Sequence, residues 1–318
     1  MIRPAPVGWR EAALNQGWIY RDRVGVDQSG QLLSAVLSAR YRHSPVSLWL
    51  ERLQLGELSL NGQVLWADAV VANGDRIEWR RPPWREPAVP EQWNTIHDNG
   101  DLLVINKPSG LPVMPGGGFL LHTLSHQLVQ RSRERGEALV PKPVHRLGRF
   151  TSGLQVCARE SATRAALSRQ FRPEGSCRKT YQAWARRVEG LEFGQTLEVD
   201  TDVVEREHPL LGWIWGPLPW VDEPVRKRLS AHSQLRLLDR QAKGDLLEVT
   251  ISTGRPHQIR IHLAQIGSPL LGDPLYRLER RISADATPGD GGYCLHAWKL
   301  ELASALGMLA FEAPTAWV

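Results

Sequence analysis

The stretch from Leu247 to Tyr276 constrains this chain more than any other, because its apolar period changes within a few residues. Leu247, Val249 and Ile251 alternate with Glu248, Thr250 and Ser252, the pattern of a strand with one covered face. Gly254 and Pro256 interrupt it. Ile259, Leu263 and Ile266 then recur at helical spacing, with Gly267 as a stop signal. His257 and Arg260 lie three residues apart on a different face of that helix, so both can point towards one pocket.

The same reading extends along the chain. DLLVINK (Asp101 to Lys107) is a short apolar run that suits a buried strand, and a Pro/Gly-rich loop follows it. Leu121, Leu124 and Leu128 mark a helix, and Leu154, Val156 and Ala158 one face of a strand. Strands and helices mix without a regular βαβ rhythm. The predicted class is α+β, with a mixed, mainly antiparallel central sheet and flanking helices.

Earlier in the chain, Leu33, Val36 and Leu37, then Leu48 and Leu53, have helical spacing. Asn61-Gly62 is a hairpin signal between strand-like Leu58, Leu60, Val64 and Trp66, and Ile77 and Trp79 alternate in a last strand. These features predict a small α+β module over residues 29–80, behind an extension at 1–28. RPPWREPAVPE reads as part of a linker at 81–92, leaving one large domain at 93–318.

Composition bounds the function. A length of 318 residues with 42% hydrophobic residues fits one large domain and one small one. No apolar run approaches the roughly 20 residues of a membrane span, and MIRPAPVGWREAAL lacks the form of a secretory signal. Cys157, Cys177 and Cys294 are scattered and odd in number, which suits reduced thiols and a cytoplasmic location. The histidines follow no metal-ligand spacing, and neither a P-loop nor a dinucleotide fingerprint is present, so neither metal nor cofactor is expected. The net charge of +5, with basic clusters at 131–135, 178–187 and 225–228, favours a polyanionic partner. Trp213, Trp215 and Trp220 in GWIWGPLPW are read as local packing of an irregular loop.

Four segments carry the chemistry: INKPSGLPV from Ile105, VHRLGRFTSGLQVCAR from Val144, CRKTYQAWARRVEG from Cys177, and TGRPHQIRIHLAQIGSPLLGDPLY from Thr253. Together they resemble the RluA-type RNA pseudouridine synthases from about Leu32 to Pro314. The fourth segment matches the family pattern G-R-x-H-Q-I-R-x-H-L-x-x-x-G-x-P-x-x-G-D-x-x-Y at every named position. The small module, through LNG-x-V and V-x-x-GD-x-I, resembles an RNA-binding module shared with a ribosomal protein.

The resemblance implies structured RNA, ribosomal or transfer, as partner, and isomerisation of uridine without a cofactor. It implies that Arg146 helps to extrude the target uridine, and that Tyr181 packs on the flipped base and takes part in removing the C5 proton. Arg260 would pair with the family's catalytic aspartate. Lys107, His145, His257 and Leu263 complete the RNA-facing set. One position departs. Where the family pattern H-R-L-D-x-x-T-S-G has its aspartate, this chain has Gly148.

Isomerisation breaks the C1′–N1 bond, turns the base and joins C5 to C1′. A carboxylate can trap the electron-poor sugar carbon or remove a neighbouring proton, and glycine can do neither. A loss of about 10⁴ in rate corresponds to roughly 5–6 kcal/mol of barrier. Two readings follow: a synthase that uses a substitute acid or an altered mechanism, and a non-catalytic RNA-binding or assembly factor on the same fold. Asp101 and Asp273 are the acids to consider as substitutes, and family usage points to structural roles for both.

Overall fold

A computed structural model describes residues 5–172, 175–219, 223–304 and 307–315. Trp220 lies outside them. The chain forms two compact units. Residues 13–86 with 209–212 make the smaller, and the residues up to 12, 87–208 and 213 onward make the larger.

In the small unit a four-stranded antiparallel sheet has the order β1-β4-β2-β3, formed by β1 (Trp18–Arg23), β2 (Leu58–Leu60), β3 (Gln63–Val64) and β4 (Arg76–Arg81). Helices α1 (Leu33–Arg40) and α2 (Val46–Gln54) contribute Leu33, Val36, Leu37, Trp49 and Leu53 to one core with Leu58, Ile77 and Trp79. Asn61 (φ 51°) and Gly62 (φ 85°) both take the left-handed backbone that the tight hairpin requires.

Two expectations are corrected here. Residues 1–28 are no separate extension, since Trp18–Arg23 is an edge strand paired along its length with Arg76–Arg81. Its apolar residues Trp18, Ile19 and Tyr20 are consecutive and do not alternate with the polar ones, so the strand carries no period of two, and Tyr20 packs inward, stacked on Trp79 at 5.0 Å. Likewise 81–92 is not a free linker. Arg85–Glu86 pairs with Ala13–Leu14 within the small unit, and Val89–Pro90 pairs with Trp9–Arg10 within the large one.

The large unit is built on a ten-stranded sheet. Its main path runs β9-β10-β11-β8-β12-β7-β6-β5. The strands are β5 (Asn94–Asp98), β6 (Leu102–Lys107), β7 (Ser152–Ala158), β8 (Arg178–Ala185), β9 (Thr196–Asp200), β10 (His232–Gln241), β11 (Gly244–Ile251) and β12 (Leu295–Ser304). β13 (Gly307–Glu312) pairs with β12, and Lys142–Pro143 with β7. Among the described residues every pairing in this sheet is antiparallel except that of β7 with β12. That parallel contact has two pairs, Ser152 with His296 and Gly153 with Ala297. A methyl added at Gly153 would lie 2.2 Å from the Ala297 carbonyl, so glycine is needed for the strands to approach.

Both faces of the sheet are covered. Leu154, Val156 and Ala158 pack in one cluster with Leu167 of α4 (Ser161–Gln170), and Cys157 of the same strand joins another with Leu124 and Leu128 of α3 (Leu124–Glu134). Leu247, Val249 and Ile251 of β11 meet Ile259 and Leu263 of α5 (Gln258–Gln265). Every residue of α5 is buried, so this helix has no solvated side. No helix among the described residues is long and apolar enough to cross a membrane.

Candidate active site

The loop before β7, the strand β8 and the start of α5 surround a cavity of about 460 Å³. His145, Arg146, Gly148, Tyr181, His257 and Arg260 all line it. Lys107 and Leu263 do not. Lys107 is wholly buried, and its ammonium donates to the carbonyls of Pro108 (2.9 Å), Leu111 (2.9 Å) and Arg149 (3.1 Å). Burial and the Arg149 charge lower its pKa to about 7. It fastens the Pro/Gly loop to the end of the Arg146–Arg149 segment and stays outside the cavity lining. Leu263 packs in the core beneath the helix.

α5 begins abruptly. His257 has φ 54°, a left-handed conformation that turns the chain from the Gly254–Pro256 segment into the helix. Gln258 secures this turn. Its side-chain oxygen accepts from Thr253 Oγ1 (2.7 Å) and the Arg255 N–H (3.0 Å), and its nitrogen donates to the His232 carbonyl (2.8 Å) and Ser233 Oγ (3.0 Å).

Tyr276 donates its hydroxyl to the Trp215 carbonyl (2.7 Å), so the 2.6 Å contact with His257 Nδ1 makes that nitrogen the donor. Burial, with the Arg260 charge, pushes His257 down to about 3, and the ring is neutral near pH 7. His145 is also held down to about 3, by burial and then by Lys179. Its Nε2 accepts from the Val156 N–H (3.0 Å), and its ring stacks on Phe171 at 4.1 Å.

Arg260 is 3% exposed and has its own counterion. Nε donates to Asp273 Oδ2 (2.7 Å) and Nη2 to Oδ1 (2.8 Å), while Nη1 donates to the Pro288 carbonyl (3.1 Å). Burial opposes the guanidinium charge, but the Asp273 bonds prevail and hold its pKa above the usual arginine value. The Asp273 side chain is only 1% exposed and also accepts from the Leu275 and Tyr276 N–H groups. It neutralises Arg260 without facing the cavity. Asp101 likewise accepts from the Arg159 and Glu160 N–H groups, at the start of α4.

Tyr181 is half-buried, and burial together with Cys177 raises its phenol well above the usual range. It stays protonated near neutrality. Lys179 and Tyr293 are among the lining residues outside the site set read from the sequence. Lys179 projects from the same face of β8, two residues before Tyr181, a spacing the strand period could have revealed. It is 5% exposed, burial lowers its pKa, and its amine has no hydrogen-bond or ion-pair partner among the described residues. Tyr293 enters from the segment before β12, where GGY carries no local signal. Among the described residues the lining includes no Asp or Glu.

Residues 101–265 match the model of the RNA pseudouridylate synthase family. The chain is a member of that family. It is 41% identical over 268 residues to an RNA pseudouridine synthase of Synechocystis, covering 83% of this chain and 86% of the relative. Identity is 31% to RNA pseudouridine synthase 5 of Arabidopsis thaliana, over 95% of this chain and 93% of the relative. A ribosomal large subunit pseudouridine synthase D of Xylella fastidiosa is 32% identical over 78% of this chain and 72% of its own length. The solved structure of human RNA pseudouridylate synthase domain containing 4 aligns with a TM-score of 0.55 at 24% identity, over 70% of this chain and 89% of that one, and shares the fold. As an RNA pseudouridine synthase the protein is an isomerase acting on RNA.

Proposed function

We propose that the cavity receives a uridine extruded from structured RNA, ribosomal or transfer, and that isomerisation to pseudouridine occurs there without a carboxylate at residue 148. One observation carries this reading: Tyr181 and Arg260, on separate elements, face the same hollow with Arg146 at its exposed rim. A volume of about 460 Å³ lies within the roughly 300–1,000 Å³ of small-molecule sites. A base must leave the stack to be gripped at its sugar and turned. Arg146, Lys179 and Arg255, with no acid among the described lining residues, favour the phosphate of the extruded nucleotide. The small unit adds RNA contacts through the exposed Trp18 with Arg21, Arg80 and Arg81, which line a shallow groove. The three unbridged cysteines agree with a cytoplasmic protein.

The test is to incubate the purified protein with RNA from cells lacking it and to map new pseudouridines. New sites are expected. Salt-dependent RNA binding with no new site would replace this reading with that of a non-catalytic RNA-binding or assembly factor, which the acid-free lining also favours. Trp18→Ala combined with Arg80→Ala should weaken RNA binding; unchanged affinity would remove the small unit from the interface.

A further inference from the structure

The reaction needs a group at the sugar carbon, and the described lining residues offer no carboxylate for it. The backbone at Gly148 lies outside the left-handed region, so glycine is not required there by conformation. What excludes a side chain is a neighbour. A methyl built on Gly148 would sit 2.8 Å from the Tyr293 hydroxyl and 3.2 Å from Thr151 Oγ1. The phenol oxygen therefore holds the space into which a longer residue at 148 would project.

The Tyr293 ring is fixed in that place. It is 5% exposed, with the Arg260 guanidinium 4.1 Å from its centroid and Phe150 edge-on at 6.3 Å. Its hydroxyl lies 3.4 Å from Thr151 Oγ1, and Thr151 lines the same cavity. Arg260 is neutralised from behind by Asp273, so the arrangement does not rely on an acid at 148 to balance charge.

We propose that Tyr293 is a catalytic residue whose hydroxyl takes the role of the carboxylate and captures C1′ of the uridine. This rests on the reading of the protein as an active synthase. In the first displacement Tyr293 Oη bonds to C1′ as the C1′–N1 bond breaks. The electron pair leaves with N1, which takes up the phenolic proton, giving neutral uracil beside a tyrosyl glycoside. The base turns, C5 attacks C1′, the C1′–Oη bond breaks, and the C5 proton returns to the phenolate. One proton moves from C5 to N1, no electrons are gained or lost, and two displacements restore the original face of the sugar. Phenolic nucleophiles at an anomeric carbon have precedent in glycoside chemistry.

The experiment compares the full-length protein with Tyr293→Phe, which keeps the ring and removes the hydroxyl. Single-turnover rates, RNA affinity and Tm are measured on the same RNA. The expected result is a rate loss of about 10³-fold or more with affinity and Tm nearly unchanged, a split that a packing role would not produce. An active unsubstituted protein with a Tyr293→Phe variant within about tenfold of it would overturn the assignment and leave the synthase reading intact. An unsubstituted protein that forms no pseudouridine removes both, and that outcome is visible before the variant is assayed.

Discussion

Arg260 on α5 and Lys179 on β8 line one cavity at similar exposure, 3% and 5%, but meet different surroundings. Arg260 is bound twice by Asp273 and once by a carbonyl, so its charge is neutralised inside the protein. Lys179 has no such partner among the described residues, and burial lowers its pKa. A buried charge without a counterion is costly. The comparison teaches that Gly148 does not strand Arg260, and that the unmet demand for negative charge sits on β8, where an RNA phosphate or a uracil carbonyl can answer it.

The comparison breaks most readily at Asp273. Asp273→Asn should leave Arg260 uncompensated and cost about 3–5 kcal/mol in chemical denaturation; a loss under about 1 kcal/mol would show that the two cations are not treated differently. Acid sharpens it next. His145 and His257 are held down to about 3, below the ordinary 6.5, so the unfolded chain binds protons that the folded chain does not. Stability should be fully present above pH 6.5 and decline as pH falls towards 3, by up to about 1.4 kcal/mol per pH unit for each ring. Lys179 repels a proton on His145 and Arg260 one on His257. Lys179→Met should therefore raise the His145 midpoint in an NMR titration and leave His257 in place.

The same Lys179→Met variant should lower kcat/KM on RNA by about 10–100-fold and reduce the salt slope of binding by about one ion, with stability unchanged or slightly increased. Loss of folding instead would mean that the amine has a structural partner. The smallest effect is expected at Gly148→Ala, where the added methyl meets the Tyr293 hydroxyl at 2.8 Å. The cost should be about 1 kcal/mol and should shrink in a Tyr293→Phe background, as a double-mutant cycle would report.

Much of the fold was legible because local patterns and tertiary burial agreed. The alternation at 247–251 became a strand with the expected covered face, and Asn61-Gly62 became a hairpin turn, although Trp66 lies beyond the second strand and is exposed. Legibility failed where packing covered a second face. α5 is buried all round, so its apolar period marked only one of the faces that packing covers. In α2 the core residues are Trp49 and Leu53, with Leu48 only half-buried, because the consecutive Leu48, Trp49 and Leu50 do not say which phase wins. The site divided along the same line. His145, Arg146, Gly148, Tyr181, His257 and Arg260 converge as their motifs implied. Lys107 was misplaced because nothing local says that three carbonyls will close on its amine. Nor does anything local reveal that Asp273 completes Arg260, or that Tyr293 arrives beside Gly148 from 145 residues along the chain.

The two-pair joint between β7 and β12 has a mechanical consequence. Each side of the large sheet is braced by long antiparallel ladders, whereas the backbone coupling across the middle is two rungs wide, directly beside the loop that carries Gly148. Such a sheet behaves as a pair of jaws on a short pin. The amides of Ser152, Gly153, His296 and Ala297 should exchange with solvent earlier than those of β8 or β11.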